Sequence, residues 1–209
     1  MSFNPSVRSD VNAFLAMDVM RKANQAEKEG RSVIHMEVGQ PGARAPQSVL
    51  DEAQKWLAKG RLGYTDALGL PDLRAALTQH YKAQYDVDVS ADRIVITTGS
   101  SGGFNLAFLA AFDRGQKVGL PTPGYPAYRN ILTALGLEVV DIETGSSDRW
   151  TLSADNLAKA HAEHGLDGVL VASPANPSGT MLTSEALRDI CDLCDREGIR
   201  FISDEIYHG

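Results

Sequence analysis

Apolar side chains recur at helical spacing from residue 10 to 29, beginning with Val11, Phe14 and Leu15, until Gly30 supplies a stop. The segment reads as an amphipathic helix. A short strand is predicted over Val33 to Val38, followed by a turn at Gly39-Gln40-Pro41-Gly42. Pro46 opens a second helix to about Lys59, which Gly60 closes. Residues 63–69 form a loop. Pro71 begins a third helix through Leu73, Leu77 and Tyr81 that ends before Val87.

From Arg93 the texture changes to short β-branched runs separated by helical patterns. The runs are Ile94-Val95-Ile96-Thr97, Val118-Gly119-Leu120, Val139 to Ile142, Val169 to Ala172 and Phe201-Ile202-Ser203. Helices are predicted near Gly103 to Phe112, Tyr125 to Leu135, Ser153 to His164 and Ser184 to Glu197. This β-α alternation predicts an α/β fold: three α/β/α layers around a mostly parallel sheet, preceded by an N-terminal helical arm.

The chain has 209 residues, 43% of them hydrophobic and 22% charged, with a formal net charge of −7. That is an ordinary globular composition. The acidic balance argues against nucleic acid as a partner, because backbone binding rests on clustered Lys and Arg. No apolar run approaches the roughly 20 residues needed to span a bilayer, so no membrane partner is expected and a cytoplasmic location is the default. Cys191 and Cys194 lie three apart in a predicted helix, without the second ligand pair of a metal site or the strand-to-helix setting of a redox site. They read as small apolar residues. His161 and His164 lack a third ligand, so no metal is expected, and His208 has no assigned role.

Four segments place chemistry at strand ends, where open α/β sheets bind ligands. Gly99-Ser100-Ser101-Gly102 lies between a predicted strand and a helix. It is either a phosphate cradle at a helix N-terminus or a tight connection. In Pro123-Gly124-Tyr125-Pro126-Ala127-Tyr128 the prolines stiffen a loop, and Tyr125 can stack on a flat ligand, the alternative being that Tyr125 or Tyr128 packs at a helix cap. Asn176 sits between Pro174 and Pro177, its amide able to donate to or accept from a ring oxygen. Asp204 follows the last apolar run, and a buried carboxylate there would call for a positive partner such as a protonated pyridine nitrogen. Tyr207 could share a ring hydroxyl with Asn176.

In order and spacing, Gly39-x-Pro41, Tyr64-Thr65 with Gly69-Leu70-x-x-Leu73-Arg74, Gly99-Ser100-Ser101-Gly102, Pro123-x-Tyr125-x-x-Tyr128, Asn176-Pro177-x-Gly179 and Ser203-Asp204-Glu205-x-Tyr207 resemble the class I/II aminotransferases. These are the fold-type-I enzymes that use pyridoxal 5′-phosphate. The resemblance implies that Ser100, Ser101 and Gly102 cradle the phosphate, Tyr125 stacks on the ring, Asn176 and Tyr207 hold the ring O3′, and Asp204 partners the pyridine nitrogen. It implies that Gly39 contacts the substrate carboxylate and that Tyr64 reaches the phosphate site of a neighbouring subunit in a homodimer. Amino acids and 2-oxo acids are the implied substrates. Residues 1–45 then correspond to an arm and part of a small domain, and 46–209 to a large cofactor-binding domain incomplete at its C-terminal end.

In such enzymes the Schiff-base lysine follows the Asp-x-x-Tyr segment. Lys22, Lys28, Lys55, Lys59, Lys82, Lys117 and Lys159 all precede it, so that lysine is expected beyond Gly209. The family's arginine for the substrate α-carboxylate is also unmatched. The polypeptide as written corresponds to an N-terminal half that is expected not to transaminate by the family mechanism. Two other readings share the cofactor motifs: a carbon-sulfur lyase or decarboxylase-like relative, and a non-catalytic regulatory domain on the same fold.

Overall fold

The computed structural model describes residues 4–39, 42–60 and 63–208, so Gln40 and Pro41 of the predicted turn, and Gly209, lie outside the described residues. The chain divides into two compact units, one of Leu15–Thr98 and one of Met1–Phe14 with Gly99–Gly209.

The Leu15–Thr98 unit holds three helices, α1 (Leu15–Lys28), α2 (Gln47–Lys59) and α3 (Pro71–Tyr85). Pro46 is the N-cap of α2, and Gly60 ends it in the left-handed region with its N–H donated to Leu57 O at 3.1 Å. Pro71 occupies the first turn of α3, where a missing N–H is harmless. Helix α1 starts at Leu15, later than the apolar period suggested. Residues 11–14 are drawn instead into contacts with the other part of their own unit, among them Asn130 Nδ2 to Asn12 O at 3.2 Å.

Two predicted strands are not formed. Val33 to Val38 lies in no ladder, and Ile34 and Met36 are largely exposed. Ile94 to Thr97 likewise pairs with no strand, although Ile94 is extended and the Ile96 N–H reaches Leu68 O at 3.0 Å. The β-branched residues supply strand propensity, but a strand also needs a continuous ladder with a neighbour, and no ladder includes these runs among the described residues. Gly69 permits the approach of residues 68 and 96. It has φ +99°, and a Cβ there would sit 2.5 Å from Ile96 Cγ1.

The second unit carries α4 (Gly99–Ala111), β1 (Lys117–Thr122), α5 (Pro126–Leu135), β2 (Glu138–Glu143), α6 (Ala154–His164), β3 (Gly168–Ala172), α7 (Ser184–Glu197) and β4 (Arg200–Asp204). Its four strands pair in parallel in the order β2-β1-β3-β4. Strand periodicity divides β3 between two cores. Val169 and Val171 pack with Leu157 of α6 and with Ile190 and Leu193 of α7, whereas Leu170 joins Phe104, Phe108 and Leu132 from α4 and α5. The predicted three layers follow directly. Full burial of Phe108, Leu132, Leu157 and Ile190 contributes roughly 1.5–3 kcal/mol each. Ser153 and Thr183 cap α6 and α7, accepting from the N–H groups of Asn156 and Ala186 at 3.1 Å. Among the described residues no helix is long and apolar enough to cross a membrane.

Candidate active site

Parallel pairing sets the site. Ala172 at the end of β3 lies opposite Asp204 at the end of β4, so the loops leaving these strands begin side by side. The Ser173 N–H donates to Asp204 O at 3.2 Å, and His208 Nε2 lies 2.8 Å from Ser173 O. The loop after β3 is held from within: Ala175 N donates to Thr180 O at 2.9 Å, Gly179 N to Ala175 O at 2.7 Å, and Leu182 N to Ser173 Oγ at 3.0 Å. These bonds present Asn176, whose Nδ2 is 3.4 Å from Tyr207 Oη.

Asp204 is the last residue of β4 rather than a position beyond it, and it is buried at 8% exposure. Its Oδ1 accepts the Ile206 N–H at 3.0 Å, and its Oδ2 accepts a hydrogen bond from Tyr128 Oη. Among the described residues it is the buried charged side chain, and it forms no salt bridge there. Burial first, and then the bond to Asp204, push the Tyr128 phenol well above its ordinary value, so the hydroxyl remains a donor.

Tyr125 caps α5 and Tyr128 sits in its first turn. Their rings meet edge to face at 5.3 Å, and Phe14 meets Tyr125 in the same way at 5.7 Å. Helix α4 begins four residues earlier than Gly103, so Ser100, Ser101 and Gly102 form its first turn instead of a preceding loop. Asn105 Nδ2 bonds back to Ser101 O at 2.8 Å, inside the helix. That placement suits an anion, because the first-turn N–H groups of a helix lack intrahelical acceptors, and no acidic side chain occupies this turn. Phe104, one turn on, packs edge to face on Tyr128 at 5.1 Å. A cleft lined by Tyr125, Tyr128, Arg129, Trp150 and Asn176 opens beside them; Asp204 is outside its lining and is joined to it through Tyr128.

The structure thus links Tyr125 to Asp204 through Tyr128, and Asn176 to Tyr207. Gly39 and Tyr64 belong to the other unit, where both are exposed. Sequence reasoning gave no role at the site to Tyr128, beyond packing at a helix cap, or to His208. For Tyr128 the signal was its spacing from Tyr125, three residues on across a helix start; for His208 only the fold could bring it to Ser173. Among the described residues no group of three His, Cys, Asp or Glu side chains is placed to hold a metal ion.

A parallel α/β sheet with polar and aromatic side chains gathered at its C-terminal edge is the plan of a ligand-binding doubly wound domain. The sequence profile of aminotransferase class I and II matches residues 31–209, and the chain belongs to that family. It is 46% identical over all of its 209 residues to a valine–pyruvate aminotransferase of Mycobacterium tuberculosis, covering 53% of that protein. It is 33% identical over 197 residues to a (5-formylfuran-3-yl)methyl phosphate transaminase of Methanocaldococcus jannaschii, covering 94% of this chain and 50% of that one. A crystal structure of an aminotransferase from Mycobacterium tuberculosis superposes with a TM-score of 0.94 at 45% identity, over 100% of this chain and 53% of the other. The chain spans about half the length of the curated relatives it matches.

Enzymes of this family work with pyridoxal 5′-phosphate on the fold-type-I architecture. The residues present fit that group. A buried carboxylate with neutral donors on both oxygens and, among the described residues, no salt-bridge partner suits a protonated ring nitrogen.

Proposed function

We propose that this chain forms the cofactor-holding part of a pyridoxal-phosphate-dependent aminotransferase that moves an amino group between an amino acid and a 2-oxo acid. The observation that carries the reading is Asp204, a buried carboxylate bonded only to Tyr128 Oη and the Ile206 N–H among the described residues. When bound, the cofactor supplies an electron sink for the charge that develops as a substrate Cα loses its proton. The protein's part is to bind, orient and hold charge.

In this reading the first turn of α4, at Ser100, Ser101 and Gly102, receives the phosphate through backbone N–H groups and the positive end of the helix. Tyr125 covers one face of the ring. Asn176 and Tyr207 hold the ring hydroxyl oxygen from two loops, and Asp204 keeps the ring nitrogen protonated. Gly39 meets the substrate carboxylate through its backbone. Tyr64, fully exposed here, reaches a neighbouring subunit, so a homodimer working in the cytoplasm belongs to the proposal.

The M. tuberculosis relative's name makes an aliphatic amino acid with pyruvate the first substrate pair to assay. In a chain of the relatives' full length, incubation with valine and pyruvate is expected to yield stoichiometric alanine and 2-oxo acid. Release of ammonia in place of a new amino acid would contradict an aminotransferase and favour a lyase. In the 209-residue chain itself, borohydride reduction with pyridoxal 5′-phosphate followed by mass spectrometry is expected to find no specific pyridoxyl-lysine.

A further inference from the structure

Tyr128 joins three parts of the site. Its ring, buried at 5% exposure, lies against Phe104 of α4 and against Tyr125 at the cap of α5, and its hydroxyl donates to Asp204 Oδ2 at the end of β4. The other carboxylate oxygen is fixed by the Ile206 N–H. An ionised carboxylate offers about four lone-pair directions, so two donors leave room for a third.

The chemical type of these two donors is the informative point. A Lys, Arg or protonated His beside Asp204 would neutralise it and compete with any cationic ligand group. A phenol and an amide satisfy the hydrogen bonding without supplying charge. The carboxylate is therefore oriented and solvated by the protein while its negative charge stays available.

We propose that Tyr128 is a positioning residue for Asp204: its hydroxyl locks the carboxylate in one orientation and leaves its charge for the pyridine nitrogen of a bound cofactor. The inference rests on the reading of Asp204 given above and adds a residue that acts through it. Tyr128 does not touch the ring nitrogen. Its role is to keep Asp204 from turning away.

The test uses a chain of the relatives' full length that contains these residues, with pyridoxal 5′-phosphate labelled with 15N in its ring. The unsubstituted chain is expected to bind with a pyridinium-type 15N shift, and Asp204→Asn to lose that shift. Tyr128→Phe keeps the ring packing on Phe104 and Tyr125 and removes only the donor. It is expected to raise the dissociation constant about tenfold, the loss of one hydrogen bond to a charged group, and to move the 15N shift toward neutral pyridine. An unchanged constant and shift in Tyr128→Phe, with Asp204→Asn still impaired, would overturn the role of Tyr128 and leave the site assignment standing. No binding by the unsubstituted chain would overturn both. A readout independent of the variant's folding is the Tyr128 hydroxyl proton of the unsubstituted chain, expected downfield, slow to exchange, and displaced when the cofactor is added. A hydroxyl resonance indifferent to the cofactor would contradict the inference.

Discussion

Asn176 and Tyr207, 31 residues apart in the chain, meet at 3.4 Å between Nδ2 and Oη because β3 and β4 run parallel and end together. Two loops that share no local pattern are therefore brought together, and in the proposed reading their side chains share a single ligand atom. Substituting either residue, Asn176→Ala or Tyr207→Phe, is expected to weaken pyridoxal 5′-phosphate binding about three- to tenfold. The double variant should lose less than the product of the two effects, since both act on one ring oxygen. Cofactor titrations followed by fluorescence check this, and strict multiplicativity would show that the two side chains act separately.

Gly168 opens β3 directly beneath a core ring. A Cβ at this position would lie 2.3 Å from Phe112 Cζ and 3.1 Å from Arg200 O. Gly168→Ala is expected to destabilise the chain by about 1–3 kcal/mol through overpacking. Urea unfolding measures the loss, and adding Phe112→Leu should restore part of it by vacating the space.

His35 stands between two carboxylates, with Nδ1 2.6 Å from Glu37 and Nε2 3.2 Å from Glu27. Hydrogen bonds to Glu37 and then Glu27 raise its pKa above 6.5, while the bond to His35 lowers that of Glu37 below 4.5. A raised histidine contributes stability that is complete below its unfolded value of 6.5 and is lost as pH rises through the folded value. A lowered carboxylate contributes above 4.5 and loses its contribution as pH falls through the folded value. The pair is thus most stabilising between these limits. His35→Gln should flatten the pH dependence of thermal unfolding near and above pH 6.5, whereas an unaltered profile would show that the contacts do not persist in solution.

Cys194 is buried at 2% exposure, and burial first, then Cys191 and Asp195, push its thiol up to about 11. Cys191 is also raised, chiefly by burial and then by Asp195 and Asp192. Neither is poised as a thiolate near neutrality. Iodoacetamide at pH 7.5 is expected to modify Cys191 slowly and Cys194 more slowly still, with both reacting quickly in denaturant. Mass spectrometry of the labelled peptides reads the order.

What the sequence carried best was local. The short β-branched runs at Val118, Val139, Val169 and Phe201 each became a strand, and Pro71 and Gly60 took the helix start and stop their chemistry favours. The runs at Val33 and Ile94 failed for a non-local reason: their composition suits a strand, but pairing is decided by what lies alongside. Helix α4 begins at Gly99, whose φ of +77° a residue without a Cβ adopts at no steric cost, so the Gly-Ser run forms its first turn. At the site, Asp204 and Asn176 were legible as polar residues at the ends of apolar runs. The Tyr128 bond was not, since it spans 76 residues and depends on α5 and β4 meeting across the sheet.

Asp204 is proposed to be held ready for a cationic ring nitrogen, and equilibrium titration of a chain of the relatives' full length and its Asp204→Asn variant with pyridoxal 5′-phosphate tests this most directly. The chain is expected to bind saturably, and the variant, equal in thermal stability or better, to bind at least about tenfold more weakly, as loss of a charged partner requires. Equal affinity of the two for the cofactor would contradict the account.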